Sequence, residues 1–407
     1  MVRLLARRYQ HPAPLRRQPS QAIVGPAAAS SEISGRSPRV DTLRGFSILA
    51  VLLLHFSLSY DLVASPLSRV LPRWLLEAAL LNGNYGVTVF FVISGFLITS
   101  NNLARYGELR DVRLRQFYAF RFARIIPPLL LALAIIVALG ACDVPSFGNN
   151  DGGRALPPSF LWIAVASVLT FWHNVLMESV GYFNYCLNIY WSLSVEEVFY
   201  LGFPIACVLL KRQSLLIGLC ALFIVAGPIY RASHRDDELF FEYGYLACFD
   251  AIALGCLVAI AYRSINVRRT IGRGTRVVAA GALAAAYLIG IDGNEVFGFS
   301  LVALSAAVLL TNAFERSRAG AAAAPLRALR WLGRHSYELY LFHIIVLAGL
   351  RTVVPKGALA STFKLPALLL FLLVSAGFAA AVASGLAEPV NCRLRSLLAG
   401  VRTSATP

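Results

Sequence analysis

From Arg39 onward the sequence is a series of apolar stretches separated by short polar connections. They cover 44–62, 84–101, 124–141, 159–177, 190–210, 214–231, 243–262, 276–291, 296–314, 332–351 and 365–387. Each is about 16–23 residues long, close to the ~20 that a helix needs to cross ~30 Å of hydrocarbon. Backbone amides cannot stay unpaired in lipid, so such stretches fold as helices. The alternating ten-residue pattern of an outer-membrane barrel is absent. Composition agrees: 58% of residues are hydrophobic and only 14% are charged, against about 25% charged in a soluble domain. An ordinary soluble enzyme, a disordered chain and a collagen-like fibre are excluded. The expected fold is an all-α, polytopic bundle.

Charge sets the expected topology. The net charge is +16, and only three of the 37 basic residues are Lys (Lys211, Lys356 and Lys364). The arginines cluster between apolar stretches, which is a topology signal and not a nucleic-acid one. Clusters before segment one, over 102–124, over 263–276 and over 316–334 all belong on the cytoplasmic side. Eleven crossings would put the last two outside. One segment therefore fails to span, leaving about ten transmembrane helices, and 159–177 is the weakest. It is expected to be re-entrant or shallow on the outer side, with both termini cytoplasmic. Residues 1–38, rich in Pro, Ala, Ser and Arg, are expected to be a disordered basic cytoplasmic tail. The membrane domain is then 39–395, with a short tail at 396–407.

Polar residues inside such segments are costly and therefore informative. In segment one, Arg44 and His55 are eleven residues apart, so they share a helix face about 16 Å apart along the axis. Arg44 belongs at the cytoplasmic mouth with Asp41 one turn below it, and His55 near mid-membrane. A neutral imidazole there is a natural proton acceptor; the competing reading is a packing hydrogen bond. In segment three, Arg121 and Arg124 on one face suit a phosphate clamp or topology-fixing Arg that snorkel. Pro127 and Pro128 are expected in the first turns of that helix, where a missing amide hydrogen costs least. Glu196 and Glu197 lie in YWSLSVEEVFYL, with Ser192 one turn earlier. Being about 100° apart, they are expected not to face one site, and the topology puts them on the outer side.

Ser336, Tyr340 and His343 fall on one face of segment ten, so Tyr340 and His343 are placed to line the same cavity. Gly83, Gly86, Ser94 and Gly95 read first as a packing seam; Gly95 is also a place where a ligand chain would fit. Asp250 is a lone carboxylate with no evident partner. The seven Cys show no CxxC and no zinc-like spacing, so no metal site is expected. Cys142 and Cys186 would share the oxidising side and are candidates for a disulfide.

The segments RVDTLRGFSILAVLLLH, GVTVFFVISGFLIT, FRFARIIP, WSLSVEEVFYL and SYELYLFH, in this order, resemble the membrane-bound acyltransferase-3 family over roughly residues 39–395. The family includes bacterial O-acetyltransferases of surface polysaccharides, lipopolysaccharide O-antigen, exopolysaccharides and nodulation factors. The resemblance implies about ten membrane helices in the bacterial inner membrane. It also implies acyl transfer, usually acetyl, from cytoplasmic acyl-CoA to a hydroxyl at the outer face. The family's Arg–ten residues–His motif maps to Arg44 and His55, with the His essential. Its R-x-x-R maps to Arg121 and Arg124, implicated in handling the donor. Its W-S-L-S-V-E-E maps to Trp191 through Glu197. The chain departs from the family at Val198, where Gln is usual, and around His343, where Phe342 and Ile344–Ile345 replace a Trp and a Pro. Some members carry a C-terminal soluble domain; none is expected after this chain's last helix.

The expected activity is thus O-acylation of a surface polysaccharide, a lipid-linked sugar or a similar glycan. Acyl-CoA (acetyl-CoA) serves as co-substrate with no bound cofactor. His55 is base or acyl carrier, with Glu196 and Glu197 assisting. Arg44, Asp41, Arg121, Arg124, Trp191, Ser192, Tyr340 and His343 bind donor or acceptor. The alternative is a proton-coupled transporter or flippase, which also needs polar residues at mid-membrane. A structural scaffold would leave His55 and the Glu pair without a reason.

Overall fold

The computed structural model describes residues 37–150, 156–263, 271–313 and 323–399. The tail expected over 1–38 lies almost wholly outside these residues, as do all of 400–407 and parts of the two later Arg clusters. The described residues form helices and no strand: α1 Pro38–Tyr60, α2 Arg73–Leu81, α3 Tyr85–Tyr106, α4 Leu114–Ala141, α5 Phe160–Leu169, α6 His173–Val180, α7 Trp191–Leu210, α8 Gln213–Ser233, α9 Glu238–Tyr243, α10 Tyr245–Tyr262, α11 Arg273–Ile289, α12 Glu295–Leu310, α13 Ala324–Arg334, α14 Ser336–Val353, α15 Lys364–Val382 and α16 Glu388–Ala399. A π-helical turn, Ala383–Ala387, joins the last two.

Seven of the described helical stretches are long and apolar enough to cross a membrane. Leu222, Val225 and Ile229 on α8 and Leu369, Leu370 and Leu373 on α15 are all exposed. In water such contiguous apolar surface would drive association; in a bilayer it is the lipid-facing side. The protein is membrane-embedded.

Two glycine crossings weld the bundle. A Cβ on Gly95 of α3 would overlap the Ile252 carbonyl of α10, and one on Gly255 would overlap the Val92 carbonyl. Gly95 is therefore a packing residue, and no ligand chain occupies its space. At the second crossing, Gly45 of α1 meets the Leu329 carbonyl of α13, and Gly333 meets that of Asp41. Small residues at such points let backbones touch, which is the main source of helix affinity in lipid.

Several boundaries differ from expectation. Helix α1 begins at Pro38, because Ser37 caps it, accepting from the Val40 amide at 3.3 Å, with Pro at the first position. Helix α4 begins at Leu114, so Pro127 and Pro128 sit in its interior. The apolar stretch 159–177 is broken into α5 and α6, with Phe171 in the left-handed region at φ 63°. Each piece is too short to span. The expected boundary at 395 falls inside α16. Cys142 and Cys186 are not joined by a disulfide; the buried Cys186 thiol donates to the Ser146 carbonyl at 3.4 Å. Asp250 is not alone. Arg231, 1% exposed, places Nη2 2.7 Å from Asp250 Oδ2 and 2.6 Å from Ser300 Oγ.

Candidate active site

Helices α1, α3, α4, α7, α14 and α16 enclose a cavity of about 190 Å³. Arg44, Arg121, Arg124, Ser192, Glu196, Glu197 and Tyr340 all line it. These include seven of the residues singled out from sequence, brought together from four helices far apart in the chain.

The two carboxylates converge. Arg121 Nη2 donates to Glu197 Oε1 at 3.2 Å and lies 3.6 Å from Glu196 Oε1. Its guanidinium carbon stands 3.4 Å from the Tyr200 ring centroid, a cation–π contact. The Tyr200 hydroxyl is 2.6 Å from both Glu196 Oε1 and Ser94 Oγ, and Ser94 donates to Glu196. The expectation that the Glu pair would split between two faces is therefore overturned, and so is the expectation that it would lie across the bilayer from Arg121. One long guanidinium reaches both carboxylates. They stand level with Arg121, and Phe183, Asn184, Cys186, Leu187 and Tyr190, leading into α7, are all buried. Helix α7 then descends antiparallel to α4, with the Tyr118 hydroxyl donating to the Leu201 carbonyl at 2.6 Å.

Arg44 Nε donates to Ser336 Oγ at 3.0 Å, joining α1 to the start of α14. One turn along α14, the Tyr340 hydroxyl lies 2.6 Å from Ser192 Oγ and donates to the Ile189 carbonyl at 2.9 Å. Behind Tyr340, outside the cavity lining, sit the two histidines. His343 is fully buried, and its ring centroid is 5.9 Å from that of Tyr340 and 5.0 Å from that of His55.

The neighbours fix the tautomers. His55 Nδ1 is 2.9 Å from the Val51 carbonyl, and His343 Nδ1 is 2.9 Å from the Leu339 and Tyr340 carbonyls. Carbonyl oxygens only accept, so both Nδ1 atoms carry hydrogen. The His343 Nε2 lone pair then faces the His55 Nδ1–H across 3.4 Å. Among the described residues no hydrogen bond reaches His55 Nε2, which leaves its lone pair available.

Two predicted residues stand aside. Asp41 is buried at the α1–α13 crossing. Trp191 stacks on Tyr243 at 4.3 Å and meets the cavity only through the edge of Phe91, 6.0 Å away. Sequence reasoning missed Tyr200, Arg105 and Arg395 and read Ser94 as packing only. The signal for Tyr200 was present: it lies one helical turn from Glu196 in an otherwise apolar segment. Among the described residues no group of three or more His, Cys, Asp or Glu is placed to hold a metal ion.

A lipid-facing helical bundle around a polar, arginine-lined chamber defines an integral membrane protein. The family model described as an acyltransferase domain, that of acyltransferase-3, matches residues 37–386. The chain belongs to that family. It is 22% identical over 340 residues to the O-acetyltransferase OatA of Staphylococcus aureus, covering 79% of this chain and 52% of that protein. It is 25% identical over 329 residues to the peptidoglycan O-acetyltransferase OatA of Listeria monocytogenes, covering 76% and 49%. It is 24% identical over 335 residues to the putative peptidoglycan O-acetyltransferase YrhL of Bacillus subtilis, with the same coverage. The chain thus spans about half the length of these relatives. No solved structure matches it.

Proposed function

We propose that the protein transfers an acyl group, acetyl by analogy with its relatives, from cytoplasmic acyl-CoA to a hydroxyl of a cell-envelope glycan. The observation that carries this reading is the juxtaposition of an arginine-lined chamber with a histidine pair whose outer member keeps a free Nε2 lone pair. The donor's phosphates are held by Arg124 and its neighbours, and its acyl chain points past Ser192 toward Tyr340. Tyr340 stands between the chamber and His343, so its rotation joins the donor to His55. The acceptor hydroxyl gives its proton to His55 Nε2 as its oxygen bonds the thioester carbonyl carbon. The carbon–sulfur bond then breaks, and the departing thiolate takes the proton. A covalent acyl-His55 route uses the same lone pair. Arg121, Glu196 and Glu197 act on the chamber side. The relatives' names favour acyl transfer over a carrier, and peptidoglycan-type sugar over other acceptors.

The proposed setting is a bacterial inner membrane. Counting α11, α12 and α14, of 17, 16 and 18 residues, with the seven longer spans brings the crossings to ten. Helices α5 and α6 stay shallow on the outer side, and both termini are cytoplasmic.

Purified protein in proteoliposomes, given acetyl-labelled acetyl-CoA and envelope glycan, is expected to label the glycan, with transfer lost in His55→Ala. Normal labelling by well-folded His55→Ala would refute the catalytic role. A wild-type protein that labels no acceptor would refute the reading as a whole.

A further inference from the structure

The chamber holds more positive charge than its own carboxylates balance. Five arginines line it, Arg44, Arg105, Arg121, Arg124 and Arg395, against Glu196 and Glu197, and both carboxylates already face Arg121. Among the described residues, Arg105, Arg124 and Arg395 make no ion pair. Arg395 Nε is nonetheless buried without a hydrogen-bond partner, as is Arg121 Nε. An unpaired buried guanidinium N–H is costly, so its persistence in a chamber wall points to a ligand that completes it.

Arg395 comes from α16, beyond the 37–386 of the family match. Helix α16 packs along α4 and brings its guanidinium to Phe120. The guanidinium carbons of Arg105 and Arg395 lie over the same Phe120 ring, 4.3 and 5.2 Å from its centroid. A guanidinium held over a ring by cation–π attraction keeps its in-plane N–H donors for another partner. With the exposed Arg124 one helical turn beyond Phe120, three cations converge at the open rim, away from Tyr340. Forked donors from several arginines suit a phosphate dianion.

We infer that Arg395 and Arg105, braced on Phe120 and joined by Arg124, form a subsite for the 3′-phosphate of the donor, with α16 as its outer wall. This rests on the reading that the donor is acyl-CoA. The subsite binds and positions; it takes no part in the chemistry. Its effect is selectivity for CoA over a donor that lacks only that phosphate.

The test is competition of CoA and 3′-dephospho-CoA against labelled acetyl-CoA on the detergent-purified full chain. Wild type is expected to prefer CoA by roughly tenfold or more, the scale of one lost charge-assisted contact. Arg395→Gln and Arg105→Gln should bring the preference to within about twofold while leaving affinity for 3′-dephospho-CoA unchanged. Arg395→Lys should keep part of it. Equal weakening toward both ligands, or an unchanged preference in Arg395→Gln, overturns the subsite. So does a wild type that binds both ligands equally, although the donor reading then stands. A wild type that binds neither ligand overturns the donor reading itself and the subsite with it.

Discussion

His343 Nε2 lies 3.4 Å from His55 Nδ1, and each ring is tied by its own Nδ1 to carbonyls one turn earlier in its helix. In the proposed mechanism the inner imidazole holds the outer one in the tautomer that leaves Nε2 as base or nucleophile, so that His343 would act through His55 as an orienting partner.

His55→Ala should lower kcat by about 10²–10⁴-fold, the scale of a lost general base. His343→Ala should lower kcat with little change in KM for the donor, and His343→Gln, which still offers an acceptor oxygen, should recover part of the loss. Steady-state kinetics on protein of matched monodispersity decides it. Equal activity of the Ala and Gln variants would show that His343 only fills space.

Arg121 compensates two carboxylates at once. Arg121→Gln should destabilise the protein, and adding Glu197→Gln should restore part of the loss, with a coupling of about 0.5–3 kcal/mol in a double-mutant cycle. Thermal unfolding in detergent measures it. Strict additivity would mean that the contact carries no energy.

The Arg231–Asp250–Ser300 cluster sits away from the chamber, and its role is structural. Arg231→Ala should cost about 3–5 kcal/mol by leaving a buried carboxylate uncompensated. Arg231→Met with Asp250→Leu should be far milder than either single change. A loss below ~1 kcal/mol in Arg231→Ala would sink the idea.

Gly95→Leu drives a side chain into the Ile252 carbonyl, whereas Gly202, with nothing within 4 Å of a built Cβ, should accept Ala freely. The first variant is expected to lose folded yield and the second to match wild type. The readout is fluorescence-detected size exclusion.

Of the seven cysteines only Cys142 and Cys392 are exposed. With ten crossings they report opposite sides. An impermeant maleimide should label Cys142 in intact spheroplasts, and Cys392 only after permeabilisation. Labelling of both from outside would break the topology.

Most of the architecture was legible because hydrocarbon imposes a length and a polarity on each segment. The His55, Arg44 and Arg121 signals stood out because a polar group in an apolar stretch needs a partner. The partners themselves were not legible. Arg231 was passed over as a segment end, although it closes on Asp250 within the bundle. The meeting of the Glu pair with Arg121 was not legible, because charge parity fixes where segments cross and says nothing of which residues of α4 and α7 stand level. Tyr200, Arg105 and Arg395 join the chamber through packing between helices that no local pattern encodes.

The mutual backbone approach of Gly95 and Gly255 has a mechanical consequence. Helix α3 supplies one whole wall of the chamber, from Val87 to Arg105, and that wall is pinned to α10 along bare main chain. Breathing of the chamber therefore falls to its other walls, among them α16, which follows a π turn.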